Sequence, residues 1–244
     1  GVTYFTFNEN IEPLNNVKVR EAVCKAINRQ EIIDSLMNGV ATIENGIFPR
    51  GLIGYDSSLP EIKYDPDGAK ALLAEAGYPN GFDMEISVDS SSSDTTKTVL
   101  EVIASQLNEV GINATIKNYD ESTWLATRKD GTLGSFMSTW TADYNDPDNF
   151  IYTFFGNEKN TKQRSLNYPD KAVMDRVSVA RTIVNADERM AEYDELEKKI
   201  VTEDFAWLPM FSKEHYYGVS KNIEGFKPNW AGISDMRFVG FSKK

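Results

Sequence analysis

The sequence is poor in the residues on which many metal, redox and nucleophilic sites depend. It contains one cysteine, Cys24, and one histidine, His215, among 244 residues. A single cysteine excludes an internal disulfide and any cysteine-rich metal site. No G-x-S-x-G motif is present and no cysteine neighbours the histidine, so a nucleophilic triad is not expected. We expect Cys24 to be a buried core residue on an apolar helix face and His215 to lie in a strand.

Basic charge and long apolar runs are also scarce. Lys and Arg number 26 against 37 Asp and Glu, which gives a formal net charge of −11. Nucleic-acid binding needs a basic surface and is therefore not expected. The apolar runs fall far below the ~18 residues needed to cross a bilayer, so we expect no membrane span in this chain. No targeting segment is recognisable, because Gly1–Tyr4 leads at once into a strand-like run.

What is present is the composition and element order of an α/β protein. Hydrophobic residues make up 41% and charged residues 26%, as is typical of globular chains. Helical periodicity covers 17–37 with a break near Asn28, and a further helix is predicted after Asp65, with Pro66 at its first position. Between Phe82 and Trp140, strand, helix, strand, helix and strand follow one another, which indicates a largely parallel sheet covered by helices.

The most informative stretch runs from residue 134 to residue 155. It begins as a strand that ends at Trp140 and continues as a polar loop over 141–145. A helix follows, for which Asp146 is the predicted N-cap and Pro147 the first helical position. Trp140 and Asp143 therefore lie where a strand ends and a loop turns over, which is a common place for ligand-binding groups in α/β proteins.

Three segments resemble the oligopeptide- and dipeptide-binding proteins of ABC importers. WTADYNDPD at 140–148 resembles the family's G-W-x-x-D-x-x-(D/E)-P segment. PLNNVKVREAVCKAINRQEII at 13–33 resembles its P-x-x-D-x-R-V-R-x-A-x-x-x-A-I-D-R segment, and YDPDGAKALLAEAGYPNGFDMEI at 64–86 its Y-D-P-x-x-A-K-x-L-L-A-E-A-G-Y-P-x-G-F segment. The resemblance covers nearly the whole chain but only the C-terminal half of a family member. It implies a periplasmic-binding-protein-like lobe with a mixed, mostly parallel sheet flanked by helices.

The resemblance also implies a division of the chain. Residues 1–210 are expected to form the C-terminal ligand-binding lobe, with a hinge strand near residues 2–8. Residues 211–244 are expected to form a tail that returns to the other lobe of the intact protein. The tail's apolar side chains would then need another apolar surface, which concerns Phe226, Trp230, Phe238 and Phe241.

As to function, the resemblance implies the solute-binding component of an ABC importer. Such a protein binds peptides in a cleft between two lobes and delivers them to a membrane permease. It works outside the cytoplasm, in the periplasm or as a lipoprotein at the cell surface. The expected partners are therefore a peptide and the permease. Neither a cofactor nor catalysis is implied, since ATP is hydrolysed by a different subunit.

Asp143 is the main candidate for recognition, because it matches the family aspartate that receives the α-amino group of a peptide. That amine has a pKa of ~7.7–8.0 and is mostly cationic at neutral pH. A carboxylate in a closed cleft forms a charge-assisted hydrogen bond with it, roughly twice as strong as a neutral one. Spacing alone favours a loop or cap aspartate at this position, and the resemblance reverses that preference.

Four other residues complete the candidate ligand-binding set. Trp140 is expected to wall the site, although a core position suits a tryptophan as well. By resemblance, Arg128 faces a peptide carboxylate, which a guanidinium holds bidentately; the alternative is a solvated arginine at a helix end. Tyr144 and Asn145, which follow Asp143 in the loop, are the remaining candidates.

Several alternatives stay open. The same architecture serves other solutes, such as an oligosaccharide, an opine or a metal chelate, and a signalling receptor without transport is also compatible with the sequence. A carboxylate-pair glycosidase is a remote alternative, since a sequence places no two carboxylates at a fixed distance. Asp143, Asp146 and Asp148 lack the spacing, glycine and glutamate of a calcium loop, so no metal site is expected.

Overall fold

The computed structural model of the protein describes residues 1–214, 216–228, 237 and 239–241. His215, Trp230 and Phe238 lie outside these residues. The strands are β1 (Val2–Thr6), β2 (Ala41–Ile43), β3 (Asp83–Asp89), β4 (Asn113–Tyr119), β5 (Met137–Trp140), β6 (Trp207–Lys213), β7 (Ile223–Glu224) and β8 (Gly240–Phe241). The α-helices are α1 (Val17–Ala26), α2 (Arg29–Leu36), α3 (Pro66–Glu75), α4 (Asp94–Glu109), α5 (Glu121–Lys129), α6 (Asp148–Phe155), α7 (Glu158–Gln163), α8 (Lys171–Ala180) and α9 (Ala186–Lys198), and a π-helical turn follows at Lys199–Glu203.

The predicted helices form because their start signals are local. Asp65 Oδ1 accepts a hydrogen bond from the amide of Gly68 at 2.9 Å, as expected of the N-cap of α3. The break that the sequence predicts near Asn28 is confirmed: residues 17–37 form two helices, α1 and α2, because Asn28 leaves the helical path and caps α2 with its own side chain. Helix α6 begins at Asp148, one residue later than predicted, although Asp146 still accepts a hydrogen bond from the Asp148 amide.

The largest sheet has the strand order β2-β6-β1-β5, and all of its pairs are antiparallel. Strand β1 pairs with β5 so that Val2 lies opposite Trp140. Strands β3 and β4 form a separate parallel pair. A parallel bridge from Ile86 to Ser135 joins that pair to the segment that enters β5.

The mixed α/β architecture is therefore confirmed, but the mostly parallel sheet is wrong. Consecutive strands do run parallel from β3 to β4, and the bridge at Ser135 continues that direction, as the local order predicts. The pairs of the largest sheet join β1 to β5 and to β6, and β2 to β6, and the paired strands lie far apart in the sequence. Their direction depends on long-range pairing that the order of neighbouring elements does not encode.

Strand β1 separates two apolar clusters. Val2 and Tyr4 belong to one cluster, which is formed mainly by α6, α8 and α9. Phe5 and Phe7 belong to the other, which is formed mainly by α1 to α4, β3 and β4. Because successive side chains of a strand point to opposite faces, this alternation lets one strand complete both cores. Cys24 is buried in the second of these clusters, as expected.

Two buried arginines of the segment 13–33 tie distant loops to α1 and α2. Arg20 forms an ion pair with Glu9 at 2.8 Å and donates to the backbone oxygens of Leu14 and Asp204. Arg29 donates to the backbone oxygens of three segments, namely Glu44, Ile62 and Pro209. Hydrogen bonds to charged groups contribute about 1.5–3 kcal/mol each, so these side chains stabilise the loops.

The described part of the tail is largely exposed. Strand β6 runs to Lys213, so the sheet continues three residues past the predicted end of the lobe at 210. Beyond it, Tyr216 is 71% exposed and Phe241 82% exposed. The hinge near residues 2–8 and the division at 210 stay predictions.

Candidate functional site

The side chain of Asn149 connects Trp140 and Asp143. Its Oδ1 accepts hydrogen bonds from Trp140 Nε1 at 3.2 Å and from the Asp143 amide at 3.0 Å. Its Nδ2 donates to Asp143 Oδ2 at 3.2 Å. Asn149 is buried in the first turn of α6, where the helix fixes its direction. The loop between β5 and α6 is thus held from inside by one amide, which sequence analysis did not identify.

Asp143 presents an oriented but uncompensated carboxylate. The residue is exposed, and Oδ2 is fixed by Asn149. No lysine or arginine among the described residues forms an ion pair with it, and Oδ1 accepts no hydrogen bond from them. A fixed carboxylate with a free oxygen is suited to bind a cationic group from outside the chain.

Trp140 lies between the aromatic core and a cation. Its ring meets Phe154 edge-on, with centroids 5.5 Å apart and an interplanar angle of 86°. The guanidinium carbon of Arg164 lies 4.8 Å from the centre of the Trp140 ring. One edge of the half-buried indole therefore packs on the core while the ring borders a polar group; its role in walling a ligand site stays a prediction.

The side chains of Tyr144 and Asn145 connect the loop to helix α6 and to a neighbouring loop. Tyr144, 48% exposed, donates a hydrogen bond to Asp148 Oδ2 at 3.0 Å. Partial burial and then this carboxylate raise the pKa of Tyr144. Asn145 Oδ1 accepts a hydrogen bond from the Ile53 amide at 2.9 Å, which ties the loop to a neighbouring one. Their role in ligand binding stays a prediction.

The other aspartates of the segment are neutralised by arginines. Asp146 receives two hydrogen bonds from Arg189, at 2.7 and 2.8 Å, and Asp148 pairs with Arg181 at 2.7 Å. Partial burial acts to raise the pKa of Asp146, but the bonds from Arg189 and the Asp148 amide outweigh it and lower the pKa. In the described ranges no group of three or more His, Cys, Asp or Glu side chains is arranged to hold a metal ion.

Arg128 lies in the last turn of α5 and stacks on aromatic rings. Its guanidinium carbon is 5.4 Å from the centre of the Trp124 ring and 5.5 Å from that of Phe136. The structure does not bring it into contact with Asp143 or Asn149. It neighbours Arg164 instead, and burial followed by repulsion from Arg128 lowers the pKa of Arg164. The predicted site thus divides into an acidic part at Asp143 and a basic part at Arg128 and Arg164, with Trp140 between them.

A cavity of about 290 Å³ opens beside this site. The end of β3, the start of α4 and strand β5 provide most of its lining, which comprises Thr3, Met37, Ser87, Val88, Asp89, Ser92, Thr95, Thr96, Trp124, Met137, Ser138, Thr139, Phe211 and Lys213. Trp124 also stacks on Arg128, so the cavity borders the basic part. The sequence signal was the serine-rich turn directly after β3, since crevices form at the carboxyl ends of parallel strands.

Arg164 and Asn149 are the site residues that sequence reasoning missed. Arg164 directly follows α7, a helix that lacks an apolar period and was not predicted. Asn149 is part of the predicted helix, and its only sequence signal is an amide in the first turn after the loop. No helix in the part of the chain that the structure describes is both long enough and apolar enough to cross a bilayer.

Comparisons with known proteins show which family the chain resembles. A family model for bacterial extracellular solute-binding proteins, family 5 Middle, matches residues 1–162. Heme-binding protein A of Haemophilus influenzae is 27% identical over 229 residues, 93% of this chain and 42% of that protein. The dipeptide-binding protein of Escherichia coli is 34% identical over 158 residues, 64% of this chain and 30% of that protein.

A solved structure extends the comparison to the whole chain. The ABC transporter-associated periplasmic binding protein DppA from Helicobacter pylori, in complex with the peptide STSA, superposes with a TM-score of 0.81 at 27% identity. The match covers 99% of this chain and 47% of that one. The chain therefore spans less than half the length of these relatives. The likeness confirms the periplasmic-binding-protein-like fold predicted from the sequence.

Proposed function

Because the chain belongs to the bacterial extracellular solute-binding proteins of family 5, we propose that it is the C-terminal lobe of a peptide-binding component of an ABC importer. The dipeptide-binding protein of Escherichia coli and the Helicobacter pylori protein in complex with the peptide STSA support a peptide as the ligand. The intact protein would work outside the cytoplasm and pass its ligand to a membrane permease. It would make and break no bond.

The observation that carries this proposal is the free, oriented carboxylate of Asp143. Asn149 fixes one of its oxygens at 3.2 Å, and no cation within the described residues satisfies the other. A peptide brings a positively charged α-amino group with N–H donors for such an oxygen. Once water is excluded, a ligand without a cation would leave the carboxylate unpaired, which costs free energy and provides selectivity.

The mechanism follows from a two-lobe design. Peptide would bind between this lobe and a second one, and rotation at a hinge near residues 2–8 would close the cleft. The closed form would then dock on the permease. Hydrogen bonds to the peptide backbone would make binding tolerant of side-chain sequence. Arg128 would contribute by attracting a carboxylate of the ligand, at the reach that its position permits.

Other solutes remain the alternative within the same architecture. A relative at 27% identity is a heme-binding protein, so the ligand is not determined by family membership. A solute without an amine would make no use of the free oxygen of Asp143. Amine dependence of binding therefore distinguishes a peptide from an oligosaccharide or a neutral chelate.

The test measures that dependence in the full-length protein that carries this chain. Asp143→Asn is expected to weaken binding of a free peptide by roughly 1–3 kcal/mol, because a charged hydrogen bond is lost. N-acetylation of the peptide is expected to weaken binding similarly, and the two losses should not add. Asp187→Asn, at an exposed position without an ion pair among the described residues, is the charge-matched control. Equal ratios for free and acetylated peptides in mutant and wild type would reject the role of Asp143.

A further inference from the structure

The loop that carries Asp143 depends on side chains for its connection to the rest of the structure. It spans residues 141–147, between β5 and α6. Among the described residues, its backbone-to-backbone hydrogen bonds reach only the loop itself and the start of α6. Asn149 holds the loop from inside, and Asn145 ties it to the Ile53 amide at 2.9 Å. A loop with so few backbone partners is free to shift unless further side-chain bonds fix it.

Arg189 of helix α9 supplies such bonds. Its guanidinium donates to both carboxylate oxygens of Asp146, at 2.7 and 2.8 Å, in the bidentate geometry that a planar fork favours. The same guanidinium donates to the Tyr193 hydroxyl at 3.2 Å and to the backbone oxygen of Ala180 at 3.3 Å. Four hydrogen bonds thus orient the arginine, and through it α9 fixes the loop close to Asp143.

A second arginine holds the end of the loop where α6 begins. Arg181, at the end of α8, forms an ion pair with Asp148 at 2.7 Å, and its guanidinium carbon lies 3.8 Å from the centre of the Tyr152 ring. The other oxygen of Asp148 accepts a hydrogen bond from the Tyr144 hydroxyl at 3.0 Å. Both arginines and the acidic side chains that they hold line one cavity of about 440 Å³. On this side the loop is therefore held by ionic bonds and not by close packing.

The helix pair α8 and α9 does not need these bonds for its own packing. Val177 and Leu196 are fully buried in the same apolar cluster. Arg176 of α8 joins the two helices separately, through Glu192 at 2.7 Å and Glu195 at 3.0 Å. Partly exposed ion pairs contribute little to the stability of a whole domain. The main effect of the bonds from the helix pair to the loop is therefore local, on the position of the loop.

We propose that Arg189 is a positioning residue for amine recognition, which acts through Asp146 on the loop that presents Asp143. The inference rests on the proposed function, because it takes the ligand to have a free α-amino group. A carboxylate that shifts by about 1 Å loses the distance and angle that a hydrogen bond to this amine needs. Arg189 keeps the carboxylate within that tolerance. It therefore contributes to selectivity for the amine and not to contacts with the rest of the peptide.

The experiment measures the preference for a free amine in the full-length protein by calorimetry. The probes are Ala-Ala-Ala and its N-acetylated form. Wild type is expected to bind the free peptide roughly fivefold or more tightly than the acetylated one. Arg189→Gln should lower this preference about threefold or more, because binding of the free peptide weakens while binding of the acetylated one changes little. Asp146→Asn should lower the preference similarly, and the two losses should not add.

Arg176→Gln is the matched control for charge and for the helix pair. It removes the same charge and the ion pairs that join α8 to α9, but its partners are Glu192 and Glu195 and not the loop. It should leave the amine preference unchanged. Hydrogen exchange of residues 141–147 is a second readout that needs no ligand. Exchange of this loop should be faster in Arg189→Gln than in wild type and unchanged in Arg176→Gln.

The outcomes separate this inference from the peptide proposal. If wild type prefers the free amine and Arg189→Gln lowers that preference no more than Arg176→Gln does, the positioning role is rejected and the peptide function stands. Faster exchange of the loop without a loss of preference also rejects the positioning role, since the loop would then be ordered by Arg189 without any effect on recognition. If wild type binds both probes equally or binds neither, amine recognition fails and the inference fails with it.

Discussion

Asn149 orients more of the site than Trp140 or Asp143, the two residues that sequence analysis identified. Three hydrogen bonds from one buried amide orient Trp140 and Asp143 at once. Among the described residues no other side chain forms a hydrogen bond with Trp140 or Asp143, so the position of the carboxylate depends on this amide. A displacement of about 1 Å at such a position is large compared with the tolerance of a hydrogen bond.

Asn149→Ala is therefore expected to weaken peptide binding in the full-length protein about as much as Asp143→Asn does. Combined with Asp143→Asn it should add little, because the amide acts through that carboxylate. Loss of the acceptor also leaves the Asp143 amide and the indole N–H without a protein partner, at a cost of roughly 1–3 kcal/mol in stability. Calorimetry and urea denaturation measure the two effects.

Asn113→Ala serves as the control for this prediction, since that amide bonds to Asp83 on the surface of the β3–β4 pair. It should change neither affinity nor the coupling with Asp143. Full additivity of Asn149→Ala and Asp143→Asn would mean that Asn149 supports the fold without positioning the carboxylate.

The sequence predicted Trp140 and Asp143 because they lie in one contiguous motif. It did not reveal Asn149 as their tether or Arg164 as a neighbour of Trp140. Arg164 lies twenty-four positions after Trp140, and only the packing of α6 and α7 brings the two together. Contacts between elements of this kind have no fixed spacing in the sequence. For the same reason, the resemblance marked the segment of Arg20 and Arg29 without showing that both side chains are buried.

Among the elements, helix α9 is joined to the loop before residue 50 by one buried carboxyl group. Glu197 Oε1 accepts a hydrogen bond from the Phe48 amide at 2.8 Å. A Cβ on Gly46 would lie 2.3 Å from the same oxygen, so only glycine permits this close approach. Burial raises the pKa of Glu197 to about 8, and hydrogen bonds from the Phe48 and Ile47 amides only partly oppose the rise.

This raised pKa predicts a stability that falls with increasing pH. The unfolded glutamate loses its proton near pH ~4.3, whereas the folded one keeps it until about pH 8. Between these values the folded state binds more protons, so the free energy of unfolding decreases as the pH rises. The side chain in Glu197→Gln stays neutral at all these pH values. The free energy of unfolding of this variant should therefore fall by roughly 2–5 kcal/mol less than that of the wild type between pH 5 and pH 8.

Urea denaturation at intervals of one pH unit measures the slope of the free energy of unfolding against pH. The control is Glu195→Gln, a side chain of the same helix that is 75% exposed and pairs with Arg176. An unchanged slope in Glu197→Gln would show that Glu197 is ionised in the folded state and that other groups carry the pH dependence.

At this scale the sequence predicted elements whose signals are local and missed those without such signals. Helices α1, α3 and α4 have caps and a full apolar period, and they form where expected. Strand β2 has three residues and α7 has six, too few to show a period, and both were missed. The direction of the main sheet was predicted wrongly because its pairs join strands that lie far apart in the sequence.

For the whole molecule, the decisive quantity is how much of the binding site this chain contains. It covers less than half of the relatives, and Asp143 is exposed. An exposed ion pair contributes only ~0–1 kcal/mol. The chain expressed alone is therefore expected to fold, since it has two extensive apolar clusters, yet to bind peptide no better than about millimolar, near −4 kcal/mol.

The affinity of this chain is measured by calorimetry with a peptide that the full-length protein binds. Circular dichroism and a cooperative melting transition establish that the chain is folded in the same sample. Micromolar binding by the folded chain would mean that the whole site lies within these residues, and the two-lobe mechanism would have to be abandoned.

The pairing of Val2 with Trp140 has a mechanical consequence if residues 2–8 are the hinge. The hinge strand then pairs directly with β5, and Val2 and Trp140 share one rung of the β-ladder. During a rotation, groups next to the axis move little, whereas groups far from the axis move a long way. The part of the site at Trp140, which packs on aromatic side chains, would therefore stay in place during closure, and the other lobe would move towards it.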